Sequence, residues 1–112
     1  MTDKIVILVT TASRDEAKQI ARHLVEARLA ACVNIVQSIE SVYRWEGQIT
    51  EDVEFLLIIK SVRGLFPEIR NEIAQLHSYQ TPEVICVPIL DGSPHYLEWL
   101  AASVKASEAE KP

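Results

Sequence analysis

The sequence predicts an α+β fold: a four-stranded antiparallel sheet made from two interleaved βαβ units, with one more helix at the C-terminal end. Three observations carry this prediction. Apolar runs of strand length recur as IVILV (5–9), FLLII (55–59) and VICVPIL (84–90). Stretches with helical periodicity lie after the first run and before the last. Between them, a long alternating segment meets a second strand across a Glu46-Gly47 turn signal.

The elements follow in order. After IVILV and the polar TTASRDE, the apolar residues Ala17, Ile20, Ala21, Leu24 and Val25 fall on one helical face. Ser13, with Glu16 three residues on, has the spacing of a capping box, which starts the helix at Arg14. The next strand begins near Ala31 or Cys32. It places Val33, Ile35, Ile39, Tyr43 and Trp45 in alternation with polar residues, as a sheet with one buried face requires. Gln48 to Lys60 returns as its partner. Pro67 suits the first turn of a second helix, on which Leu65, Ile69, Ile73 and Leu76 share a face. VICVPIL is the fourth strand, Asp91-Gly92 a turn, and Ser93-Pro94 the start of a last helix carrying Tyr96, Leu97, Leu100 and Val104. The tail SEAEKP reads as frayed. This order, βαββαβ plus a C-terminal helix, is the split βαβ or ferredoxin-like plan, with both main helices on one face of the sheet.

Size and composition narrow the function. A chain of 112 residues fits a single domain, 1–112, with one core. Sixteen acidic against eleven basic residues give a net charge of −5, which disfavours a nucleic-acid partner. The N-terminal MTDKIVILVTT holds only five consecutive apolar residues after its lysine, too few for a secretory core or a membrane span, so a cytoplasmic protein without a membrane partner is expected. Cys32 and Cys86 are far apart and embedded in apolar runs. They read as buried inert thiols, with pairing open only if they lie on adjacent strands. No G-x-S-x-G elbow, no H-E-x-x-H and no cysteine beside a histidine is present, so a non-enzymatic protein is expected.

One copy looks incomplete. Three of the four strands are apolar on both faces, and a short C-terminal helix is too small to cover the face opposite the main helices. The arm 32–45 would also span on the order of 45 Å at ~3.3 Å per residue, against roughly 34 Å for a globule of this length. It therefore bends at a bulge near Gln37-Ser38 or overhangs, carrying Tyr43 and Trp45 into contact with another copy.

The stretches AACVNIVQSIESVYRWEGQI (31–49), FLLIIKS (55–61), LHSYQTPEVICVPI (76–89) and YLEWL (96–100) together closely resemble the CutA family, named for divalent cation tolerance. That resemblance implies a ferredoxin-like subunit in a tight three-fold homotrimer, with the long hairpins pairing between subunits in the cytoplasm of bacteria. It also implies a loop of the form His-Pro-Tyr-Glu-x-Pro-Glu. His77, Tyr79, Pro82 and Glu83 match it, while Ser78 and Gln80 depart from it, the latter removing one carboxylate. Some members carry a cysteine at the end of the first strand as a proposed copper ligand, where this chain has Val9 and Thr10.

The loop 77–83 is thus the candidate site. Imidazole and carboxylate are ligands for divalent ions, so His77 and Glu83 are expected to hold Cu(II) or another divalent cation, weakly because they are only two. The competing reading makes the loop a turn, with His77 at the helix end and Tyr79 packed at a subunit boundary. His23 is expected to be solvated on its helix, and His95 to lack a companion. Tyr43, Trp45, Tyr79 and Trp99 are the expected interface residues. Alternatively they line an intersubunit cleft of a PII-like ligand-sensing or scaffold trimer, with Lys60 and Arg44 available to anions and metal incidental.

Overall fold

The computed structural model describes residues 2–107. The elements are β1 (Lys4–Thr11), α1 (Arg14–Glu26), β2 (Cys32–Trp45), β3 (Gln48–Val62), a short 3₁₀ turn at Arg63–Leu65, α2 (Phe66–Leu76), β4 (Val84–Pro88) and α3 (Pro94–Ser103). The strands form one antiparallel sheet in the order β2-β3-β1-β4. This is the split βαβ plan.

Local chemistry sets the boundaries. Ser13 caps α1 by accepting the Glu16 N–H at 3.2 Å. The reciprocal half of the capping box is absent, because the Glu16 carboxylate turns instead toward His77. Arg28 closes α1 in the left-handed region (φ 59°), where the Leu29 N–H reaches back to the Leu24 carbonyl at 2.9 Å. Glu46 and Gly47 both have positive φ, the two-residue hairpin geometry that follows the right-handed twist of its strands. Pro67 stands in the first turn of α2 as expected. Ser93 precedes α3 and its carbonyl accepts the Leu97 N–H, but its side chain caps nothing.

The core lies between the sheet and the first two helices. Ile5, Ile7 and Val9 of β1 share a face with Ser61, Ile59 and Leu57 of β3 by register, and these pack with Ile20 and Leu24 of α1 and Ile69 and Ile73 of α2. Each large aliphatic side chain buried here contributes roughly 1.5–3 kcal/mol. The other face carries Val6, Leu8, Leu56 and Ile58, which are half-buried, and Val36, Ile85 and Val87, which are exposed. The start of α3 sits over this second face: Cys32 is in register with Lys60, and the Tyr96 hydroxyl lies 3.7 Å from the Cys32 sulfur.

The hairpin overhangs. The molecule measures 48 × 27 × 24 Å. A bulge does interrupt the β2–β3 register between Val36 and Ile39, with Ser38 at φ 59°, yet pairing resumes and runs to Trp45 opposite Gln48. The bulge therefore bends the arm without returning it to the sheet. Three smaller expectations change. His23 is not simply solvated, since its Nε2 lies 3.0 Å from Glu72 on α2. His95 stands 4.0 Å from Glu98 but is almost fully exposed. Ser107, the first residue of the supposedly frayed tail, is buried against Gly64, and the tail beyond it lies outside the described residues. Cys32 and Cys86 are free and occupy opposite edge strands.

Candidate functional site

The loop 77–83 joins the end of α2 to β4 and so crosses the end of β1 at Thr10 and Thr11. His77 is the C-cap of α2, its N–H bonded to the Ile73 carbonyl at 2.8 Å. Its ring is buried beneath the loop. Nε2–H donates to the Thr10 carbonyl at 2.7 Å, and Nδ1 accepts the Tyr79 N–H at 3.0 Å. This bonding selects the Nε2–H tautomer and leaves Nδ1 an acceptor. A second acceptor faces it: Glu16 Oε1 lies 3.4 Å from Nδ1, buried and with no donor of its own among the described residues. The Nδ1 lone pair is taken by the Tyr79 N–H, so Glu16 Oε1 is the atom left unpaired, and a cation would satisfy it.

Tyr79 continues the chain of contacts. Its ring lies against His77, centroids 4.7 Å apart, and its hydroxyl donates to Glu54 Oε2 at 2.9 Å. Glu54 is 6% exposed, an unusual place for a carboxylate. Burial, with the Glu54 hydrogen bond and its negative charge adding to it, pushes the Tyr79 phenol well above its ordinary range. On the hairpin the Tyr43 hydroxyl donates to Asp52, and that bond raises its pKa as well.

Between the hairpin and the loop lies a cavity of ≈ 620 Å³, a size ordinary for a small-molecule site. Tyr43 and Trp45 wall it from the hairpin, and Tyr79 and Glu83 from the loop, with Glu54 and Thr10 also lining it from the sheet. The structure thus brings four of the six singled-out residues together. His77 does not line the cavity, and Trp99 stacks on Tyr96 of α3, centroids 5.5 Å apart. Among the described residues no three His, Cys, Asp or Glu side chains converge as a metal cluster. The cations offered for an anion site are engaged elsewhere: Lys60 with Asn34, and Arg44 with the Gly47 carbonyl.

Sequence reasoning missed Glu16 and Glu54. Glu16 was assigned to its own helix cap. Glu54 had a signal, a lone carboxylate between Val53 and Phe55 where the strand turns apolar, but only the fold shows that Tyr79 meets it.

A sequence profile of the family described as CutA1 divalent ion tolerance protein matches residues 5–103. The chain is 46% identical over 95 residues to the divalent-cation tolerance protein CutA of Thermus thermophilus, which covers 85% of this chain and 92% of that one. It is 48% identical over 101 residues to the chloroplastic protein CutA of Arabidopsis thaliana, covering 90% of this chain but 56% of the plant protein. The solved structure of the Thermus thermophilus divalent cation tolerance protein superposes with a TM-score of 0.89 at 43% identity, over 91% of this chain and 99% of that one. CutA1 from Oryza sativa gives 0.91 at 44%, over 93% and 95%.

Proposed function

Because this chain belongs to the CutA1 divalent ion tolerance protein family, we propose that it works as a non-enzymatic homotrimer that binds Cu(II) or another divalent cation weakly, with His77 and Glu83 as ligands. The observation that supports the metal reading is Glu16 Oε1, a buried carboxylate oxygen 3.4 Å from His77 Nδ1 and without a donor among the described residues. A metal taking the imidazole lone pair must displace the Tyr79 N–H. That competition, and the absence of a third converging ligand among the described residues, make the site weak. Glu83, at the far end of the same loop, is the one carboxylate within the segment that would have to open.

The trimer reading rests on the overhanging hairpin, where Val42, Ile49 and Val53 lie on one face and are 65%, 64% and 61% exposed. Such a stripe with a free β2 edge beside it is what a neighbouring copy would cover.

Titration with Cu(II), followed by calorimetry, tests the metal reading: affinity should fall in His77→Ala and in Glu83→Ala, with circular dichroism confirming that each variant is folded. Unchanged affinity in both removes the ligand assignment. Sedimentation tests assembly. The protein should run as one species of three chain masses, and Trp45→Asp should shift it to lighter species; a wild-type monomer at micromolar concentration contradicts the trimer.

A further inference from the structure

We propose that the segment 104–107 is a latch, closed on the end of α1 by Arg28, that decides whether α3 stays docked as a lid on the second face of the sheet. The inference stands apart from the metal and trimer readings, because no latch residue is among the ligands or interface residues named above.

Backbone geometry singles out Arg28. It occupies the left-handed region at φ 59°, one residue past the Ala27 C-cap of α1, and its N–H and that of Leu29 return to the Val25 and Leu24 carbonyls. Glycine or asparagine ordinarily makes this closure, because a Cβ is crowded there. The other described non-glycine residues with positive φ have local reasons, Ser38 in the bulge and Glu46 in the hairpin turn. Arg28 has a distant one. Its guanidinium donates to the Ala102 carbonyl in the last turn of α3 at 3.1 Å, and its own carbonyl accepts the Lys105 N–H at 2.8 Å. A cation placed on those final carbonyls also meets the negative end of the helix dipole.

The rest of the segment closes the latch from the other side. Val104 and Ser107 are buried, and Ser107 rests against Gly64, where any side chain would collide with it. Lys105 pairs with Glu68 of α2 at 2.7 Å, a partly exposed contact that adds little. Within its own chain α3 has few other attachments. It is ten residues long, shorter than a helix that holds its shape alone in water, and only Leu100 among them is fully buried. At its start the Ser93 side chain makes no capping bond, and Tyr96 reaches Cys32 only through a 3.7 Å contact with sulfur. A short element fastened mainly at one end opens as a unit when that fastening goes.

Hydrogen exchange of the intact, assembled protein, read by mass spectrometry, tests the latch. Arg28→Gly and Arg28→Asn both suit the left-handed backbone and both remove the guanidinium. In each, the amides of 94–103 should exchange about tenfold faster, the worth of one charge-assisted hydrogen bond, while those of α1 stay as slow as in wild type or become slower. Arg28→Lys, which keeps the charge but not the fork of donors, should fall between. Gly64→Ala, acting from the far side of the latch, should also speed exchange in α3, and Lys105→Ala should change it by no more than about twofold. Wild-type exchange of α3 in both Arg28→Gly and Arg28→Asn overturns the proposal; a neighbouring copy that pins α3 would give this result. Acceleration shared equally by α1 and α3 overturns it too, since Arg28 would then stabilise the whole fold and not the lid. Neither outcome depends on Cu(II) affinity or on the number of chains in the assembly.

Discussion

The two halves of β3 are one strand in two different environments. From Leu57 to Val62 alternate side chains are fully buried against α1 and α2. From Gln48 to Val53 the same strand pairs only with β2, and Ile49 and Val53 face outward. The first half is held by its own chain's core. The second is held by hairpin hydrogen bonds alone, and a two-stranded ribbon by itself is marginal in water. Continuous pairing with the body keeps the arm in place, and its apolar stripe is available for contacts made by another molecule.

Mutations at matched positions should expose this contrast. The largest loss is expected for Leu57→Ala, about 2–5 kcal/mol in urea unfolding, because a cavity opens in the packed half. Ile49→Ala should act through assembly, so that its decrement varies with protein concentration while that of Leu57→Ala does not. Equal, concentration-independent losses at the two positions would erase the distinction between the halves.

Next in size is Gly64→Ala at the closed end of the sheet. A Cβ there would stand 2.5 Å from the Ser107 hydroxyl, so the added methyl should cost about 1–3 kcal/mol by thermal melting. Adding Ser107→Gly should recover most of the loss. A neutral Gly64→Ala would show that the C-terminal segment is not anchored against this turn.

Where the halves meet, Tyr79 and Glu54 link the loop to the sheet. The folded-state pKa of Tyr79 is raised, first by burial and then by Glu54, so the neutral phenol is favoured by folding. Its contribution is complete below the unfolded value of about 10 and is lost as pH rises beyond it. Alkaline titration of stability should therefore fall above about pH 10 in the wild type and fall less steeply in Tyr79→Phe. Identical slopes would remove Tyr79 from the alkaline transition. The smallest effect is expected for Arg22→Ala, on the outer face of α1, where the Glu26 pair is well exposed at both ends: no more than about 0.5 kcal/mol.

Much of this was readable before any coordinates. The start of α1 at Arg14, Pro67 in the first turn of α2 and the Glu46-Gly47 turn came from short-range rules, because caps and turns are settled within a few residues. Arithmetic on strand length left the arm to bend or to overhang, and the structure shows it doing both. Less was readable of the site. His77 and Glu83 share a loop of seven residues, but the ring turns under that loop to Thr10 while Glu83 lines the cavity. Proximity along the chain says nothing of which side of the backbone a side chain takes. Glu16 was misassigned for a similar reason: a capping box is a local option, and a buried imidazole from another element displaced it.

By itself, then, the sequence determined the order of strands and helices, the faces that must be hidden and the shortage of apolar cover, since periodicity and side-chain polarity are properties of neighbouring residues. The tertiary structure alone decided that Tyr79 would meet Glu54, that Tyr43 and Trp45 would share a cavity with Glu83, and that Glu16 would face His77. Those contacts join residues many positions apart, and their partners are selected by register and by the crossing of a loop over a strand end, which local propensity cannot specify.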